Sequence, residues 1–170
     1  YDAEGTTNVL PSMKDLDDQL EGLIPFLPTA DGETWQRDPT AWESRPTLVR
    51  SDGAEIEFYY SPWYTGRDAP LCDISVGWSH HHPYMPSRAP RMSIWQPQPD
   101  LEAVWKAMRS RLWPRAVRYW QQCQKGQRQH KEEQKRIEQT QQRFVDAGAG
   151  QVVRRTDDYG HRYLTVEGYG

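Results

Sequence analysis

Apolar side chains recur at helical spacing in two places along the chain and at alternate positions in the stretch between them. Leu101, Val104, Trp105, Met108 and Leu112 follow Asp100 at intervals of three and four. One side of that segment therefore seeks a core, and Asp100 stands where it can cap the free amides of a first turn. Val117 and Trp120 continue the stripe, but in Gln121–Arg136 Cys123 is the sole apolar side chain. That part reads as a solvated strut or as a surface awaiting a partner. Pro114 lacks an amide hydrogen and its ring crowds the carbonyl of Ser110, so the helical arm at residues 100–146 should kink or break there. Gly126 is a second weak point.

The other helical pattern lies at residues 12–24, where Met13, Leu16, Leu20, Leu23 and Ile24 follow a Ser12-x-x-Asp15 sequence resembling a capping box. It should stop at Pro25, and its outer face carries Asp15, Asp17, Asp18 and Glu21. An acidic face of this kind is ordinarily a solvated one. The next segment, Phe26–Pro46, reads as a packed loop that should shelter Trp35 and Trp42.

Residues 47–96 read as antiparallel sheet. Thr47–Arg50 and Glu55–Tyr60 flank an Asp52-Gly53 turn, and Ile56, Phe58 and Tyr60 alternate with Glu55, Glu57 and Tyr59. Leu71–Trp78 puts Ile74, Val76 and Trp78 on one side, and Arg91–Gln96 reads as a short fourth strand. A last hairpin is expected at 151–167, around Asp157-Asp158-Tyr159-Gly160. The fold class that follows is α+β in a single domain of 170 residues. It comprises an antiparallel sheet of four to six strands, an N-terminal acidic helix, and a long, kinked C-terminal helical pair followed by a β-hairpin.

Charge changes this picture more than composition does. Residues 1–73 hold 15 acidic and 5 basic side chains, net −10, whereas 74–170 hold 9 and 16, net +7. A dipolar surface of that kind steers charged partners, unless the two halves neutralise each other by packing. The basic excess is densest between Arg88 and Arg143, with 13 basic against 5 acidic residues. Arg111, Arg115 and Arg118 fall at i, i+4 and i+7, with Arg109 close by, a row suited to phosphate or carboxylate because guanidinium grips both through paired hydrogen bonds. Lys125–Arg143, interleaved with Glu132, Glu133 and Glu138, reads instead as a solvated helix laced with ion pairs.

Chemistry is sparsely signalled. His80-His81-His82 is the densest imidazole cluster, and His80 with His82 could share a strand face with Cys72 or Asp73, but the spacing matches no closed zinc pattern. The two cysteines, Cys72 and Cys123, make no disulfide framework and imply a reducing compartment. Neither stands in a setting that activates a thiol. No nucleophile elbow, phosphate-binding loop or dinucleotide fingerprint occurs, no cofactor is implied, and no apolar run reaches the roughly 20 residues of a membrane span. A cytoplasmic location and a non-enzymatic role follow as expectations.

Short strands followed by Pro-Asp-Leu-Glu-x-Val-Trp (Pro99–Trp105) and then Arg-Ser-Arg-Leu-Trp-Pro-Arg (Arg109–Arg115) resemble small accessory proteins of bacterial phages and integrative elements, a group that includes anti-CRISPR inhibitors. The resemblance covers roughly Thr47–Gln142 in layout and assigns no functional residue. It implies a stoichiometric inhibitor that binds a protein complex handling nucleic acid. The candidate contacts are Arg109, Arg111, Arg115 and Arg118, or the acidic Asp15, Asp17 and Asp18 in a nucleic-acid-mimicking role. The alternative is a protein that binds DNA or RNA directly through the arginine row, against which the isoelectric point near 6.0 counts.

Overall fold

The computed structural model describes residues 19–59, 72–95, 98, 100–147, 151–156, 160 and 162–167. They fold into two compact units, Tyr1–Gln124 and Lys125–Gly170. The first holds a five-stranded antiparallel meander in the order β1-β2-β3-β4-β5. Its strands are β1 Trp35–Arg37, β2 Thr47–Arg50, β3 Ala54–Tyr59, β4 Cys72–Trp78 and β5 Arg91–Ile94. Two α-helices follow, α1 Leu101–Arg111 and α2 Trp113–Asp146, then a separate two-stranded hairpin, β6 Gln151–Thr156 with β7 Arg162–Glu167. The α+β class is as the alternation and helical periods require.

The register explains the core. Ile56 pairs with both Leu48 and Val76, Phe58 with Ile74, Ile74 with Met92, and Cys72 with Ile94. These residues share one face of the sheet, and all are buried. Val104, Trp105, Met108, Leu112, Ala116, Tyr119, Trp120 and Cys123 complete the same core from the helices. The other face stays partly wet, with Glu55, Glu57, Asp73 and Ser75 half-buried along it. The β2–β3 turn depends on Gly53, whose φ of 105° disfavours a side chain. Asp52 closes the turn by accepting from the Ala54 amide through Oδ1 at 3.2 Å.

The helical arm breaks where Pro114 requires. Asp100 caps α1, its Oδ1 accepting from the Ala103 amide at 2.8 Å. The helix stops at Arg111, and α2 starts at Trp113, which leaves Pro114 in a first turn where no amide donor is needed. Gly126, by contrast, does not interrupt α2. A helix already nucleated by packing on its N-terminal side carries one glycine at a cost of about 1 kcal/mol.

Three expectations are corrected. The segment around Pro25 is a 3-10 helix, Leu20–Phe26, that runs through the proline. The tighter winding stacks Leu20 and Leu23, three apart, into the core. Gly22 faces Leu101 so closely that a Cβ would meet its Cδ1 at 2.8 Å. The stretch read as a loop contains a strand, β1, which pairs with β2 as Trp35↔Arg50. Its three residues give no visible alternation. Finally, Trp35 is sheltered but Trp42 is 75% exposed. The proposed cap at Ser12, the acidic face of Asp15, Asp17 and Asp18, and the loop 61–70 lie outside the described residues.

Candidate binding cleft and arginine surface

At the helix joint the carbonyls need partners. Pro114 cannot donate, and the Arg115 amide bonds Leu112 O at 3.1 Å, one residue short of the α-helical partner. The Arg111 carbonyl is taken up by a side chain instead. Arg115 donates to it from Nε at 3.0 Å and Nη2 at 2.8 Å, and from Nη2 to Arg91 O at 3.0 Å. Arg115 thus ties both helices to β5. Its side chain is engaged within the structure while remaining exposed.

Arg109, Arg111 and Arg118 differ. All three side chains are exposed, and none has a hydrogen bond or ion pair among the described residues. Arginine side chains held on ordered helices without acidic partners leave their guanidinium forks available to an outside anion.

The sequence did not point to a second constellation. Trp35, Trp105, Trp113 and Trp120 form a cluster, with ring centroids 5.1 Å apart for Trp105 and Trp113 and 5.4 Å for Trp113 and Trp120. Tilted contacts of this kind suit the positive edge and negative face of indoles. The Trp120 indole nitrogen donates to Gly77 O at 3.0 Å, fixing the ring on the sheet. Arg50 lies against this cluster, its guanidinium carbon 5.0 Å from the Trp120 ring and 5.4 Å from Trp35.

Asp52 grips Arg50 through two bonds of 2.8 Å and accepts a third from Gln124 Nε2 at 2.7 Å. Glu33 approaches Arg50 Nε at 3.5 Å. Burial raises the Asp52 carboxyl, but the Arg50 and Ala54 hydrogen bonds outweigh it and hold the group below its ordinary value. Above these residues opens a cleft of about 370 Å³, walled by Pro28, Trp113, Val117 and Trp120 and edged by Glu33, Gln121 and Gln124.

The remaining candidates separate. His80 is exposed and stands edge-on to Trp78, with 6.1 Å between ring centroids. His82 has both ring nitrogens buried without a hydrogen-bond partner. Cys72 faces the core at the far end of β4, about 20 Å away along the strand. Among the described residues no three His, Cys, Asp or Glu are placed to hold a metal ion.

Cys123 is buried, and burial pushes its thiol up; its neighbour Tyr119 is likewise raised, to about 12, chiefly by burial. That setting keeps the thiol protonated and unreactive. Glu55, half-buried on the open sheet face, is raised by burial and by Asp38 and Glu57. At the other end of β4, Ser93 Oγ donates a hydrogen bond to Asp73. No helix among the described residues is long and apolar enough to cross a membrane. Comparison with protein-family models, curated proteins and solved structures finds no match.

Proposed function

We propose that the protein acts by stoichiometric, non-catalytic binding to a bacterial defence complex that handles nucleic acid. Arg109, Arg111 and Arg118 would dock on an anionic surface of that complex and block it. The supporting observation is the division among four neighbouring arginines: one holds the helix joint, and the three others, all exposed, have no partner among the described residues. A fixed joint presenting unpaired guanidinium groups is preorganised, which lowers the ordering cost of association. Charge of this kind also speeds encounter and selects the partner.

A second reading, direct binding of DNA or RNA, draws on two exposed indoles. Trp42 is 75% exposed and Trp95 54%, and an open indole can stack on an unpaired base. Gel shifts with single- and double-stranded DNA and RNA at low and moderate salt separate the readings. Binding that fades steeply with salt supports the second. For the first, the tagged protein should capture a complex from a bacterial lysate at one copy per complex. The triple reversal Arg109→Glu, Arg111→Glu and Arg118→Glu should capture none. Capture unaffected by the reversal removes the arginine surface from the account, and inhibition by a catalytic trace of protein removes the binder reading altogether.

A further inference from the structure

We infer that the cleft over Arg50 is a binding site for a free α-amino acid with an apolar side chain. The inference does not rest on the arginine surface; it comes from a guanidinium whose second edge is open. The cleft holds about 370 Å³, within the range of small-molecule sites. Arg50 and Glu33 are the charged residues that line it. Pro28, Val117, Trp113 and Trp120 give it apolar walls, and Gln121 and Gln124 add neutral amides.

A guanidinium carries five N–H donors in one plane, enough for two bidentate partners side by side. Asp52 takes one edge, with Nε donating to Oδ1 and Nη2 to Oδ2, both at 2.8 Å. Three hydrogens remain, one on Nη2 and two on Nη1, and none has a partner among the described residues. Nη1 is not sealed from solvent either. Among the described residues, the buried side-chain nitrogens left without a partner are Trp78 Nε1 and the two of His82. The Nη1–Nη2 edge is therefore an unfilled fork on a residue that lines the cleft. Asp52 fixes its orientation, and the rings of Trp35 and Trp120 lie against it. Such a fork matches a carboxylate.

Glu33 decides what else the ligand carries. Its Oε2 accepts from the Ala30 amide at 3.1 Å and approaches Arg50 at Nε, at 3.5 Å, so it does not fill the fork. Its Oε1 has no partner among the described residues. An anion in the fork has the Glu33 carboxylate beside it, and a cation at Glu33 has Arg50 beside it. A neutral ligand forgoes the charge-assisted bonds that both residues offer. An α-amino acid meets the two together, with its carboxylate on the fork and its ammonium on Glu33 Oε1. Its side chain then lies against Pro28, Val117 and Trp113.

Leucine and phenylalanine are the probes, titrated into the full-length protein while heat is followed. Each is run beside its analogue without the ammonium (isocaproate, phenylpropanoate) and its analogue without the carboxylate (isoamylamine, phenethylamine). At least one amino acid should saturate and bind about tenfold more tightly than either of its own analogues. Glu33→Gln keeps an oxygen to accept from the Ala30 amide but removes the charge. At an unchanged melting temperature it should weaken the amino acid about tenfold and erase its advantage over the analogue without the ammonium. Arg50→Lys keeps a charge but not the fork, and should weaken the amino acid and that analogue alike. If Arg50→Lys fails to fold, Glu33→Gln carries the test alone. An analogue binding as tightly as its amino acid, Glu33→Gln without effect in a folded protein, or no saturation by either amino acid would overturn the site.

Discussion

Helix α2 is two different objects on one backbone. From Trp113 to Gln124 it turns Ala116, Tyr119, Trp120 and Cys123 into the core of the first unit. From Lys125 to Asp146 its buried position is a glycine, Gly126, and large apolar groups such as Phe144 and Val145 are exposed. The first stretch is held by packing. The second relies on local contacts one turn apart, such as Gln142 Nε2 to Asp146 Oδ1 at 2.8 Å and Thr140 Oγ1 to Arg136 O at 2.9 Å. Such pairs stabilise a helix by only a few tenths of a kcal/mol each. Continuous helical backbone therefore says nothing about where stability resides; the side chains decide it.

The contrast can be broken at several points. Trp120→Ala should cost about 3–5 kcal/mol in a denaturant titration, because it removes a buried indole, its bond to Gly77 O and one wall of Arg50. Trp105→Ala belongs in the same range, as the ring anchoring α1 in the core. Equal losses from truncations in Lys125–Asp146 would mean that the two stretches had been wrongly distinguished. Arg115→Ala should cost about 1 kcal/mol, since the bonds it deletes serve partly solvated carbonyls.

Acid sharpens the comparison. Despite burial, hydrogen bonds from Arg50 and the Ala54 amide hold the Asp52 carboxyl below its ordinary value in the folded protein. Its contribution is therefore present above its unfolded value and lost as pH falls through the folded one. The stability difference between wild type and Asp52→Asn should shrink between about pH 7 and about pH 3. A difference that stays constant would show that Asp52 acts by packing alone. The smallest effect is expected at Gln127→Ala, less than about 0.5 kcal/mol.

Much of the fold was legible because its signals are local. The alternation in Glu55–Tyr60, the Asp52-Gly53 turn, the Asp100 cap and the Pro114 break all act over a few residues. What escaped depends on distance in the chain. Arg50 and Asp52 are two apart beside a turn, so their pairing could have been anticipated. Their neighbours Trp120 and Gln124 arrive only when α2 crosses the sheet.

Arg115 stands apart from the rest of the arginine row for a related reason. Spacing placed it with Arg111 and Arg118, but the proline one residue earlier disrupts the local helical pairing, and Arg115 itself takes up the Arg111 carbonyl. Trp42 shows that a large aromatic residue in a proline-rich loop need not be buried.

The central claim is that neighbouring arginines divide the work, Arg115 holding the joint and Arg109, Arg111 and Arg118 meeting the partner. Single reversals at Arg115 and Arg111, scored side by side for melting temperature and for capture of a complex from bacterial lysate, test it most directly. The account predicts that Arg115→Glu lowers the melting temperature, whereas Arg111→Glu leaves it unchanged and sharply reduces capture. An Arg111→Glu protein that captures as well as wild type, beside an Arg115→Glu protein of undiminished stability, would contradict it.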